Sequence, residues 1–216
     1  MYQLIGPWKL LTAFGTVAAF IALLYNWISP ISAISELWRV ASVSVTFSGI
    51  LLLLVGQTDL FPVLCRLPVI SSWLPPIDGK WVGEFTSNFP QIAKAFGLKP
   101  TTLSGPVIAN FTIRARLFDV RISSVSVSPR PNYMRSDTTA FRISRCSFTH
   151  RDVIHYVFDA VVDKPDESDV DSFHGAARLT ILGEGQNITL EGAYWTDRNW
   201  PTGKNTAGTL KLRPAN

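Results

Sequence analysis

The stretch that decides the fold is Ile108-Ala109-Asn110-Phe111-Thr112-Ile113-Arg114-Ala115-Arg116. Apolar and polar residues alternate along it, which is the period of a half-exposed β-strand. Working outward, seven more strands read at about 79–87, 119–128, 139–148, 153–163, 173–182, 187–195 and 207–213. Turn chemistry separates them: Ser128-Pro129-Arg130-Pro131-Asn132, Lys164-Pro165-Asp166, Gly183-Glu184-Gly185 and Pro201-Thr202-Gly203-Lys204. Pro90 to Gly97 reads as one short helix after the first strand. Short connections between so many strands predict an all-β domain over 79–216, an antiparallel up-and-down barrel of about eight strands, lipocalin- or streptavidin-like. A sandwich of the same strands is the alternative.

Before Gly79 the period changes. Residues 1–58 read as a transmembrane helical hairpin, with uncharged spans at about 10–28 and 40–58. Nineteen residues from Leu10 to Ile28 reach about 28 Å as a helix, close to the hydrocarbon thickness of a bilayer. Trp8, Tyr25 and Trp27 sit at its ends, where amphipathic rings favour the interface. Ser44 and Ser48 share one face of the second span, so another helix can approach closely, within the hairpin or from a second copy. No charge lies inside either span, which argues against an ion carrier or a proton relay. The weak excess of Lys9 and Arg66 favours cytoplasmic termini, with the barrel on the same side. Residues 59–78 hold Pro62, Pro68, Pro75 and Pro76 and read as a stiff membrane-proximal linker ending near Trp73.

Composition limits function. Charged residues make up 17% of the 216, against about 25% in soluble domains. Two cysteines, Cys65 and Cys146, allow neither a disulfide framework nor a zinc site, and no metal is expected. The three histidines, His150, His155 and His174, stand outside any catalytic motif, and no phosphate loop or nucleophile elbow occurs. The expectation is a protein that is not an enzyme and uses no cofactor. Charge is polarised: residues 94–151 are net +8 and residues 152–197 net −8, so the basic sector suits a phosphate-bearing ligand. The acidic loop 163–171 lacks calcium-ligand spacing and reads as solvated.

The barrel opens with Asp78-Gly79-Lys80-Trp81-Val82-Gly83-Glu84-Phe85. It closes with Gly192-Ala193-Tyr194-Trp195-Thr196-Asp197-Arg198, then Thr202-Gly203 and Gly208-Thr209-Leu210-Lys211-Leu212-Arg213. With the hairpin and linker, these motifs make the whole chain resemble the bacterial anti-phage CBASS effectors that carry two transmembrane helices and a β-barrel, the SMODS-associated β-strand-rich effectors. The resemblance implies a receptor for a cyclic dinucleotide made by a partner nucleotidyltransferase. Binding in the barrel would promote homo-oligomerisation and disruption of the lipid of the inner membrane that holds the chain, killing the infected cell. It implies no DNA or RNA partner. The matching positions are Arg198 as phosphate donor, Thr196 as a hydroxyl contact and Tyr194 as a stacking platform, with Trp81 and Arg114 as further candidate contacts. A structural role for Arg198, capping the barrel over Trp81, is the competing reading. Arg114 contacts ligand only if its strand face points into the lumen. A tethered barrel binding lipid, or a structural membrane subunit, is the alternative function.

Overall fold

The computed structural model describes residues 5–30, 34–71, 74–97, 106–128, 133–165, 169–183 and 187–215. Trp73, the turn residues 129–132, residues 166–168 of the acidic loop, and Glu184 and Gly185 lie outside the described residues. The chain forms two units. Residues Met1–Leu74 with Arg116–Asp119 make one; Pro75–Ala115 with Val120–Asn216 make the other.

The first unit is helical. Helices α1 (Gly6–Ile28) and α2 (Ile34–Gln57) are 23 and 24 residues long and apolar enough to cross a membrane. Pro7 opens α1, where its missing N–H costs nothing. α1 buries no side chain, and Leu23, Trp27, Phe47 and Leu53 all stand exposed. Apolar surface on this scale is suited to lipid rather than water. Val40, Ser44 and Ser48, spaced by four, are the buried stripe of α2, which packs on α1. The small-residue face is therefore used inside the hairpin. The linker prolines cut the following chain into two short helices, α3 (Leu60–Cys65) and α4 (Pro68–Ser71). Leu117 donates its N–H to the Gly56 carbonyl at 2.9 Å, and Arg116 pairs with Asp59. A Cβ on Gly56 would meet the Leu117 side chain at 2.9 Å, so that approach requires glycine.

The second unit is a closed barrel of eight antiparallel strands in sequence order. They are β1 (Gly79–Ser87), β2 (Val107–Ala115), β3 (Val120–Ser128), β4 (Met134–Arg145), β5 (Asp152–Val162), β6 (Ser172–Leu182), β7 (Thr189–Thr196) and β8 (Ala207–Pro214). β8 closes on β1 from Trp81↔Pro214 to Ser87↔Gly208. A short helix, α5 (Phe89–Ala95), follows β1 as the sequence predicts. Alternation is clean in β1 and β2, and in β5 from Ile154 onward, and their inward residues are buried. Phe111, Ile113, Ile122, Ile154, Leu179, Leu190, Leu210 and Leu212 form the driest part of the core.

β4 departs from its predicted range of 139–148. It starts five residues earlier, because its first inward side chains include Ser136 and Thr138, so no apolar period marks it. A register shift between Thr138 and Ala140 then breaks the phase. It ends earlier because Cys146–Arg151 is a turn, with Cys146 N–H on the Arg151 carbonyl at 2.8 Å and His150 in the left-handed region (φ 52°). His150 is therefore a turn residue, whereas His155 is on β5.

The β3–β4 seam is short. Direct pairing runs only from Ser123↔Asp137 to Val125↔Arg135, whereas β4 pairs with β5 from Met134↔Val162 to Arg145↔Asp152. Side chains continue the ladder: the Ile122 and Met134 N–H groups donate to Thr138 Oγ1 (3.0 Å) and Ser126 Oγ (2.9 Å), and Ser124 meets Ser136 at 2.7 Å. Segments held by few backbone bonds open first. In hydrogen exchange, the amides of residues 122–126 and 134–138 are expected to be the first strand amides to exchange; equal protection around the barrel would contradict this.

Candidate functional site

Tyr194 and Thr196 point inward from β7, near the end of the barrel away from Gly79. Tyr194 pairs with Gly208, which pairs with Ser87. The backbone passes Thr196 and turns through Asn199 and Gly203, both in the left-handed region. That turn swings Arg198 toward Asp169. Arg198 Nε donates to Asp169 Oδ1 at 2.8 Å and Nη2 to Oδ2, a two-pronged pair. Tyr133 donates its hydroxyl to Asp169 Oδ2 at 2.8 Å and accepts from Arg198 Nη2 at 3.3 Å. Asn199 Nδ2 and the Val170 N–H also donate to Asp169 Oδ1. The guanidinium carbon lies 5.2 Å from the centre of the Phe173 ring. The two charged side chains are only 16% and 11% exposed.

Burial by itself would push the Asp169 carboxyl up, but Arg198 and the Tyr133 hydroxyl hold it below its ordinary value. Burial and the Asp169 carboxylate push the Tyr133 phenol up. The site is thus a neutral buried pair: one guanidinium with its fork of donors occupied by a carboxylate.

The other two members of the closing trio are packed. Tyr194 stands edge-on to Phe85 at 5.2 Å, with a hydrogen bond to Ser87. Thr196 Oγ1 shares hydrogen bonds with Thr206 Oγ1 (2.9 Å) and its carbonyl (3.2 Å), fastening the turn. Trp81 is elsewhere. It lies six residues before Ser87 on β1, roughly 20 Å along the strand, and donates Nε1 to the Ile77 carbonyl at 3.0 Å. Arg198 therefore does not cap Trp81; it stacks on Phe173 at the opposite end. Arg114 is on the outer face of β2, exposed and outside the lumen.

A comparison with curated proteins finds "CD-NTase-associated protein 15" of Escherichia albertii, 27% identical over 145 residues. The chain is a homologue of that protein. The match covers 64% of this chain and 61% of CD-NTase-associated protein 15, so the chain spans about three fifths of its relative's length. No family model matches the chain. Homology to CD-NTase-associated protein 15, the two apolar helices and the eight-stranded barrel bear out the resemblance to CBASS effectors.

Sequence reasoning missed Asp169, Tyr133 and Asn199. Asp169 sits in an acidic run that reads as solvated, and that reading is corrected here: it is buried against Arg198. The available signal was the alternation Asp169-Val170-Asp171 leading into β6. Also missed were the groups around the mouth. Phe96 and Trp200 are 51% and 68% exposed, and Lys204 Nζ lies 5.7 Å from the Phe96 ring centre.

Proposed function

We propose that this chain is a membrane-anchored receptor for a cyclic dinucleotide in anti-phage defence, and not an enzyme. The observation that carries the reading is the buried arginine at the barrel mouth, held by a carboxylate, with the exposed rings of Phe96 and Trp200 and the half-buried Lys204 at the same end. Its setting supports this: two candidate membrane spans, and a homologue named for its association with a CD-NTase. A cyclic dinucleotide has two phosphates and two bases. Arg198 and Lys204 suit the phosphates; Trp200 and Phe96 offer faces on which bases stack. A phosphate entering the site takes the place of Asp169 on Arg198, exchanging one anion for another. Ligand binding then promotes self-association, and the helices disrupt the inner membrane that holds them.

The test is thermal unfolding of the full chain in detergent against a panel of cyclic dinucleotides. One member at ~100 times its dissociation constant is expected to stabilise the fold by about 2.7 kcal/mol. The response should vanish in the Arg198→Ala, Asp169→Ala double variant, which removes the buried pair together and so leaves no orphan charge. A folded chain that responds to no member of the panel overturns the reading.

A further inference from the structure

We propose that the end of the barrel at which Gly79 enters is a docking surface for anionic lipid headgroups. This goes beyond the ligand reading and does not depend on it. Six exposed side chains carry the argument. Lys80, Arg114, Arg121, Arg151 and Arg213 all lie within two residues of the same end of their strands, or in the adjoining turn. They come from β8, β1, β2, β3 and the β4–β5 turn, which are consecutive around the wall. The register sets Arg114 directly opposite Arg121, which concentrates positive charge on the β2–β3 wall. The same end also holds Asp119, Asp152 and Glu191, the last two paired with Arg145 and Lys211, so it is basic on balance. The opposite end is mixed among the described residues: Asp163, Asp171 and Asp197 are exposed in its loops, and so is Lys164, with Lys204 half-buried beside Phe96.

The sixth side chain is Phe148, 94% exposed at the tip of the β4–β5 turn at this basic end. A bare aromatic ring beside Arg151 is an unfavourable surface in water. It is a favourable one at a headgroup layer, where rings enter the interface and arginines meet phosphates. Connectivity puts such a layer within reach. Only α3, α4 and short connections separate Gln57, where α2 ends, from Gly79. Charge complementarity selects anionic headgroups over zwitterionic ones.

The turn supplies its own reporter. Hydrogen bonds from Thr149 lower the Cys146 thiol to about 7, while Cys65 is buried. A nitroxide reagent near neutral pH therefore labels Cys146, two residues from Phe148. The full chain is placed in nanodiscs of phosphatidylcholine alone, or of phosphatidylcholine mixed with phosphatidylglycerol. With phosphatidylglycerol the label should be shielded from a water-soluble nickel chelate and open to dissolved oxygen. Shielding should be lost in phosphatidylcholine alone, and in the Lys80→Gln, Arg114→Gln, Arg213→Gln variant in either lipid. Phe148→Ser should lose the oxygen exposure. A label equally open to nickel in both lipids overturns the proposal. So does shielding that survives both the neutral lipid and the charge variant, and so does a chain that does not enter the nanodiscs. A normal cyclic-dinucleotide response in these variants would show that the ligand reading stands whichever way this test falls.

Discussion

Replacing Asp169 by alanine is expected to destabilise the barrel by about 3–5 kcal/mol, the usual effect of removing one partner of a buried ion pair. The guanidinium of Arg198 keeps its charge, and its burial is then unopposed by any carboxylate. Tyr133 and Asn199 lose their acceptor as well. Chemical denaturation of the two proteins at neutral pH measures this directly. The proposed function adds a second half to the expectation. A phosphate-bearing ligand supplies the missing anion, so saturating ligand should stabilise Asp169→Ala more than the parent. A loss of stability below about 1 kcal/mol would mean that the pair is more solvated than its burial indicates. The pH dependence follows from the depressed Asp169 carboxyl. A group whose folded value lies below its unfolded value stabilises the fold above the unfolded value, near 3.9, and loses that contribution as pH falls through the folded value. The parent should therefore lose stability on acidification from neutral pH more steeply than Asp169→Asn, whose amide does not titrate.

Phe158→Ala is expected to cost about 3–5 kcal/mol, as for other buried phenylalanines. Phe158 is 6% exposed and stands directly opposite Gly175 across the β5–β6 ladder. A Cβ on Gly175 would lie 2.3 Å from the Phe158 ring, and its three nearest neighbours would all be atoms of that ring. The ring thus occupies the space that a side chain on β6 would fill. Gly175→Ala alone should destabilise by about 1–3 kcal/mol through overpacking. In the Phe158→Ala background the same substitution should be neutral or mildly stabilising. A double-mutant cycle tests this: simple additivity of the two changes would show that ring and glycine do not share the space.

Legibility in the sequence followed the physics of each segment. The hairpin was readable because absence of charge over nineteen residues has few other causes. Strands β1 and β2 are readable because one face is apolar and the other largely polar; β5, with Val153, Val157 and Val161 on its outer face, is readable as a β-branched and aromatic run. β4 is not, since Ser136 and Thr138 face inward and hydrogen-bond across a short seam, leaving no hydrophobic period. The closing motif singles out Arg198 as a candidate. Its partner Asp169 is not so marked, because it lies 29 positions away, in a loop whose composition suggests only solvation. Neither the motif around Trp81 nor the alternation around Arg114 gives a height along the barrel or a face, so neither separates them from Arg198. Both depend on register, where one residue of error exchanges inside for outside.

Closure of β8 onto β1 also sets an order of events during synthesis. Most strands of this barrel have a sequence neighbour to pair with as soon as they emerge. β1 and β8 must wait for each other across nearly the whole domain, and such distant pairing is intrinsically slow. Both apolar helices are complete before the first strand has been made. A ribosome that stalls before residue 207 releases a chain with its helices intact and two unpaired edges, on β1 and β7. Such edges pair readily with other chains. In the mature barrel every strand has a neighbour on each side, and the short β3–β4 seam is where backbone stands outside the ladder, so an assembly built from it joins through side chains or at that seam.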